Sequence, residues 1–195
     1  MLVRLLLING VYLSRFILFL IYMELKIKEG FEQCPDSHYT PEDIIDLIFK
    51  DINFREDDCI LEPTAGREFR MYNKIPINNK FWCEIDYGVD LFDSFEDKRF
   101  TKIITNPPYK SNHINKEDRE NITIQIIDRC FKLCDDEVWI LINNQMFNSL
   151  TPRRLSNFSK LGFNVVFIRI INIPKWYGRY FWICFKKGGK SILHF

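Results

Sequence analysis

Asn106-Pro107-Pro108-Tyr109 stands directly after the apolar run Lys102-Ile103-Ile104-Thr105. Read plainly, the four residues make a turn that ends in an aromatic, since Asn and Pro are ordinary turn residues. Their order also permits a particular chemistry. An amine conjugated into a ring, such as that of adenine, is a poor nucleophile because its lone pair is delocalised. An Asn side-chain oxygen and a fixed backbone carbonyl can accept hydrogen bonds from both amine hydrogens, which draws the lone pair out of conjugation. Two prolines fix φ and hold the carbonyl in place. Tyr109 can stack on a base turned out of its helix.

Other residues able to do chemistry sit at similar places. Tyr39-Thr40-Pro41 precedes a helical pattern with apolar residues at 44, 45, 48, 49 and 52, so Thr40 reads as the cap and Pro41 as the first-turn proline. Glu62-Pro63-Thr64-Ala65-Gly66 closes the short strand that begins at Cys59. Glu84 ends a second strand, Phe81 to Glu84, and a carboxylate there can accept both hydroxyl protons of a ribose. Asp90-Leu91-Phe92 follows. Each has a plainer explanation, because Thr-Pro is a common helix start and acids are usually solvated.

The elements that must position these residues alternate. Lys102 to Thr105 is a third strand, Ile122 to Cys134 a helix and Val138 to Ile142 a buried strand. Leu155 to Leu161 is a short helix after Thr151-Pro152. Val165 to Ile171 and Tyr180 to Phe185 pair as an antiparallel hairpin across Asn172 to Arg179. Strands alternating with helices predict one α/β domain with a mainly parallel sheet and ligands at the strands' carboxyl ends.

Taken together, these pieces resemble the DNA adenine-N6 methyltransferases, in the motif order of that family's gamma group and most closely small phage-type orphan enzymes. The resemblance covers about residues 38–185, and Trp176-Tyr177-Gly178 is similar to those enzymes' aromatic-glycine turn. It implies a Rossmann-like S-adenosylmethionine-dependent methyltransferase fold with six or seven strands and a C-terminal antiparallel hairpin. It also implies S-adenosyl-L-methionine as cofactor, with Tyr39, Thr40, Pro41, Glu62, Pro63, Ala65, Gly66, Glu84, Asp90 and Asn106 at its site. Asn106, Pro107, Pro108 and Tyr109 become the catalytic residues. With a sulfonium methyl as electrophile, no strong general base is required.

The chain departs from the family in two places. Arg67-Glu68 stand where a second Gly is usual, and a side chain there could weaken cofactor binding. The gap from Glu84 to Asp90 has no room for a full helix and strand, so one peripheral unit is expected to be abbreviated.

The 195 residues carry a net charge of +1, which conceals an asymmetry. Residues 1–137 hold 18 Lys/Arg and all 26 Asp/Glu, whereas residues 138–195 hold nine Lys/Arg and no acid. Nucleic acid needs a basic face beside the cleft. Lys110, Arg153, Arg154, Lys175, Trp176 and Arg179, on three loops at strand ends, are the expected contacts. DNA is the expected partner, with RNA possible and specificity coming from short sequences or a separate subunit. Methylation of RNA adenine or of a protein glutamine amide, and a catalytically inactive nucleic-acid-binding relative, are the rival readings.

Residues 1–22 are apolar but interrupted, their longest clean run far short of the ~20 residues a membrane span needs. They read as an extension or as sequence upstream of a start at Met23, with residues 23–195 a single catalytic domain lacking a separate recognition domain. No membrane and no metal are expected. The six Cys lie mostly in apolar runs and read as buried thiols of a reducing cytoplasm.

Overall fold

The computed structural model describes residues 39–109, 122–174, 176 and 178–193. The remaining residues, among them 1–22, Lys110, Lys175 and Tyr177, lie outside the described set. Six strands emerge: β1 (Ile60–Glu62), β2 (Lys80–Trp82), β3 (Phe100–Thr105), β4 (Cys134–Asn143), β5 (Phe163–Asn172) and β6 (Arg179–Lys187). They form one sheet in the order β2-β1-β3-β4-β6-β5. β1 to β4 are mutually parallel, while β6 runs antiparallel between β4 and β5. The C-terminal hairpin expected from the apolar pattern is therefore present.

Successive strand residues face opposite sides of a sheet, so a strand buried on both faces reads as a continuous apolar run. β4 and β6 show this division. Val138, Ile140 and Ile142 of β4 join Phe181, Ile183 and Phe185 of β6 in one layer of the core. That layer is completed by Ile126, Ile127, Cys130 and Phe131 of α3 (Ile122–Leu133) and by Phe158 of α5 (Pro152–Lys160). Trp139 and Leu141, with Tyr180, Trp182 and Cys184, face the other layer. There they meet Ile44, Ile45 and Ile48 of α1 (Glu42–Phe49) and Met71 of α2 (Arg70–Lys74). Each fully buried Ile or Phe contributes roughly 1.5–3 kcal/mol relative to its exposed state.

Local signals explain most boundaries. Thr151 caps α5 through its Oγ1, which accepts from Arg154 N at 3.4 Å, with Pro152 in the first turn. The expected cap at Thr40 does not form. α1 starts from the carbonyl of Pro41, which accepts from the backbone N–H groups of Ile44 and Ile45, and Thr40 turns inward instead. A short helix, α4 (Asn144–Asn148), stands between β4 and α5, capped by Asn143 Oδ1 accepting from Met146 N at 2.9 Å.

Between β2 and β3 the chain makes only a 3-10 turn, Ile85–Tyr87, closed by a bridge between Glu84 and Val89. The abbreviated unit expected from the spacing is thus seen, and the sheet has six strands. Arg129 of α3 holds the segment down, donating to the carbonyls of Leu91 (3.3 Å) and Ser94 (2.8 Å). At the opposite ends of the strands lies a buried ion pair. Lys102 Nζ sits 2.9 Å from each carboxylate oxygen of Asp58, and both side chains are almost fully buried. Thr101, Arg55 and the Arg55 backbone N–H complete the carboxylate's partners.

Candidate active site

Because β1 to β4 run parallel, their carboxyl ends share one side of the sheet, and antiparallel β6 begins there. This brings together the turn Glu62–Gly66, Glu84, the Asn106–Tyr109 turn, Asn143 and Tyr180.

Asn106 leaves β3 with its carboxamide gripped at both ends. Its Nδ2 donates to Thr40 Oγ1 at 3.1 Å, and its Oδ1 accepts from the Tyr109 hydroxyl at 3.0 Å. Two of the four backbone carbonyls in the turn are already engaged. Asn106 O accepts from Thr64 Oγ1 (3.4 Å), and Pro108 O accepts from Thr123 Oγ1 of α3 (2.7 Å). Pro107, itself buried, has a carbonyl without a partner among the described residues.

The hydroxyl of Tyr109 extends the pairing of β3 with β4 past its last register pair, Thr105 with Ile140. Beyond that pair, Tyr109 Oη reaches the Leu141 carbonyl at 3.1 Å and receives the Asn143 backbone N–H. Burial, with Tyr180 beside it, pushes this phenol well above its ordinary range. The ring packs against both core layers, and the residue as a whole is partly buried.

The turn after β1 is shaped by Gly66, which has φ of +66°. A Cβ there would lie 3.0 Å from the Tyr39 ring, so both the backbone conformation and the close approach call for glycine. Its N–H donates to Glu84 Oε2 at 2.7 Å, while Glu84 Oε1 accepts from Asp86 N at 3.1 Å. A carboxylate has about four lone-pair positions, so two remain. Burial raises the Glu84 carboxyl despite these two donors.

Glu62 is buried, 2% exposed, and its Oε2 has no hydrogen-bond partner among the described residues. Burial pushes its carboxyl well above the ordinary value against the Tyr72 N–H, and the nearby Glu84 charge adds to the rise. Ala65 is buried, its N–H bound to the Cys83 carbonyl.

Arg67 and Glu68 are drawn aside: Arg67 pairs with Asp86 at 2.7 Å and Glu68 with Arg70 at 2.5 Å. The left-handed conformation falls on Phe69 (φ 52°), whose ring stacks on Tyr87. Asp90 accepts from Phe92 N at 2.9 Å, closing its own turn. Leu91 is packed in the core, so of the apolar pair only Phe92, 40% exposed, can meet a ligand.

Of the expected nucleic-acid contacts, Arg153 and Arg179 are exposed and form no ion pair with an acid among the described residues. Arg154 donates to the Ser149 carbonyl at 2.7 Å and faces Asp128. Trp176 leans on Tyr180, with ring centroids 4.8 Å apart. Lys110 and Lys175 lie outside the described residues. Three other bases of the acid-free tail are engaged elsewhere: Arg169 with Asp51, Lys186 with Asp136 and Glu137, and Lys187 with Asp135. Sequence reasoning does not single out Thr123 for this site, and it reaches Asn143 and Tyr180 only as parts of segments expected beside nucleic acid. Only their positions at element starts and ends could signal them.

No protein-family model and no curated protein matches the chain. Solved structures do. A methyltransferase of Pyrococcus furiosus matches with a TM-score of 0.50 at 16% identity, over 90% of this chain and 99% of the other. A candidate class I S-adenosylmethionine-dependent methyltransferase of Listeria monocytogenes matches with a TM-score of 0.57 at 13% identity, over 91% and 68%. The fold is that of the class I methyltransferases. A candidate RNA methyltransferase of Pyrococcus horikoshii shares this methyltransferase fold, with a TM-score of 0.54 at 15% identity over 85% of this chain and 97% of that one.

Proposed function

We propose that the chain is an S-adenosylmethionine-dependent methyltransferase that acts on the N6 amine of adenine in DNA. The observation that carries this reading is the Asn106 turn at the end of β3, where a clamped carboxamide oxygen shares the turn with the Pro107 carbonyl, which has no partner among the described residues. These two acceptors suit the two hydrogens of a planar amine. Hydrogen bonds to both draw the lone pair toward the position of an incoming electrophile, and positioning replaces a general base.

The cofactor residues fit the group in three respects. Gly66 is the position where backbone must come close, Glu84 retains lone pairs for ribose hydroxyls, and Glu62 carries an orphaned buried oxygen suited to a cationic partner. Tyr39 and Pro41 would flank its methionine end, and Asp90 with Phe92 its adenine. Arg67 and Glu68 are each engaged in an ion pair, with Asp86 and Arg70. When bound, the cofactor supplies an electrophilic methyl on a sulfonium.

Arg153, Arg154, Arg179 and Trp176 offer phosphate and stacking contacts beside the cleft, and Lys110 and Lys175 are assigned there by sequence. RNA is the second reading, favoured by the shared fold of the candidate archaeal RNA methyltransferase. Tritiated cofactor offered separately with DNA, RNA and protein decides between them. Label is expected in DNA, and label confined to RNA or protein contradicts the DNA assignment.

A further inference from the structure

A carboxamide presents an oxygen on one side and an NH2 group on the other, and only one orientation of Asn106 can accept an amine hydrogen. Both of its neighbours are hydroxyls: Thr40 at 3.1 Å from Nδ2, and Tyr109 at 3.0 Å from Oδ1. A hydroxyl can donate or accept, so neither fixes the orientation alone. What decides it is where the threonine proton goes.

Thr40 Oγ1 lies 3.8 Å from the Met71 sulfur of α2, in a buried contact. A thioether has no proton to give and can only accept. Thr40 is 4% exposed and Met71 3%, so neither is open to bulk water. In the structure the threonine hydroxyl is directed to the sulfur, and its lone pairs face Asn106, where they accept from the NH2 group. The carboxamide oxygen is then turned toward Tyr109 and the mouth of the site. Leu141 O, at 3.1 Å, is a second acceptor for the one Tyr109 proton, so Tyr109 can release Oδ1 without going unpaired.

We propose that Thr40, backed by the sulfur of Met71, is a positioning residue that fixes the carboxamide of Asn106 with its oxygen toward the substrate. The inference deepens the methyl-transfer reading above and rests on it for its catalytic consequence, while the orientation itself is a property of the free protein.

The test uses the full chain as Thr40→Val, Thr40→Ser and Met71→Leu variants. Valine keeps the shape and loses the hydroxyl; serine restores it. The first readout is hydrogen exchange of the Asn106 side-chain amide by 15N NMR, assigned by the disappearance of its signals in Asn106→Ala. Exchange is expected to quicken about tenfold in Thr40→Val, to return to the wild-type rate in Thr40→Ser and to quicken less in Met71→Leu. The second readout is kinetic. In Thr40→Val, kcat is expected to fall about tenfold or more, by a larger factor than KM or cofactor Kd changes, and serine is expected to restore it. Unchanged amide exchange in Thr40→Val or Met71→Leu overturns the assignment, as does a full kcat in Thr40→Val. If the wild-type protein transfers no methyl group, the proposed function fails, yet the exchange measurement still decides the orientation.

Discussion

Glu62 is the residue at which stability and function pull apart most clearly. Its carboxyl is buried at the end of β1 with one oxygen unpartnered, and burial raises it well above the ordinary value. An acid raised on folding binds its proton more tightly in the native state. Its cost to stability is therefore absent below its unfolded pKa of about 4.3 and grows as pH rises above it. Glu62→Gln is expected to raise the melting temperature at neutral pH by about 2–8 °C, a gain that disappears below about pH 4. Calorimetric titration of the same variant should show cofactor affinity weakened about tenfold if the orphaned oxygen holds a ligand. A variant that is both more stable and an equal binder makes Glu62 a structural acid only. Strain kept at a site in this way is common where a ligand supplies the missing partner.

At the scale of elements, the Asp58–Lys102 pair ties the chain before β1 to the start of β3. Burial opposes ionisation of Asp58. The Arg55 N–H, Lys102 and Thr101 together outweigh it, and the carboxyl ends below its ordinary value. The stability it contributes is present above the unfolded pKa of about 3.9 and is lost as pH falls through the lower folded value. Lys102→Met removes the buried cation and leaves Asp58 only the half-exposed Arg55, and it is expected to cost up to about 3–5 kcal/mol in denaturant unfolding at neutral pH. The penalty should shrink in acid.

Nothing in the sequence discloses this pair, because Lys102 reads as one polar residue at the start of an apolar strand and Asp58 as one acid among several. The strands and the hairpin are legible because their side chains are buried on both faces and leave unbroken apolar runs. The positions of Asn106, Gly66 and Glu84 are legible because turns and strand ends carry their own residue types. Thr40 reads as a cap because capping is local, whereas its partner is Asn106, 66 residues away. α2 and α4, of five residues each, are too short to carry a helical period.

On the scale of the whole molecule, the acid-free stretch from residue 138 does not behave as one basic surface. Arg169, Lys186 and Lys187 are held by acids from the first part of the chain, so the asymmetry in sequence is partly an internal pairing. Arg153 and Arg179 remain exposed. Arg153→Glu with Arg179→Glu is expected to weaken DNA binding at least tenfold at low salt without shifting the melting temperature. The slope of log affinity against log salt should fall by about 0.9 for each phosphate no longer neutralised. An unchanged slope places the DNA elsewhere. No helix among the described residues is long and apolar enough to cross a membrane. Adenine methylation at the Asn106 turn is tested most directly by nucleoside mass spectrometry of DNA incubated with the protein and S-adenosylmethionine. N6-methyladenine is expected with the wild-type chain, and none with Asn106→Ala that still binds cofactor. N6-methyladenine formed equally well by Asn106→Ala, or none formed by a folded, cofactor-bound wild type, would contradict it.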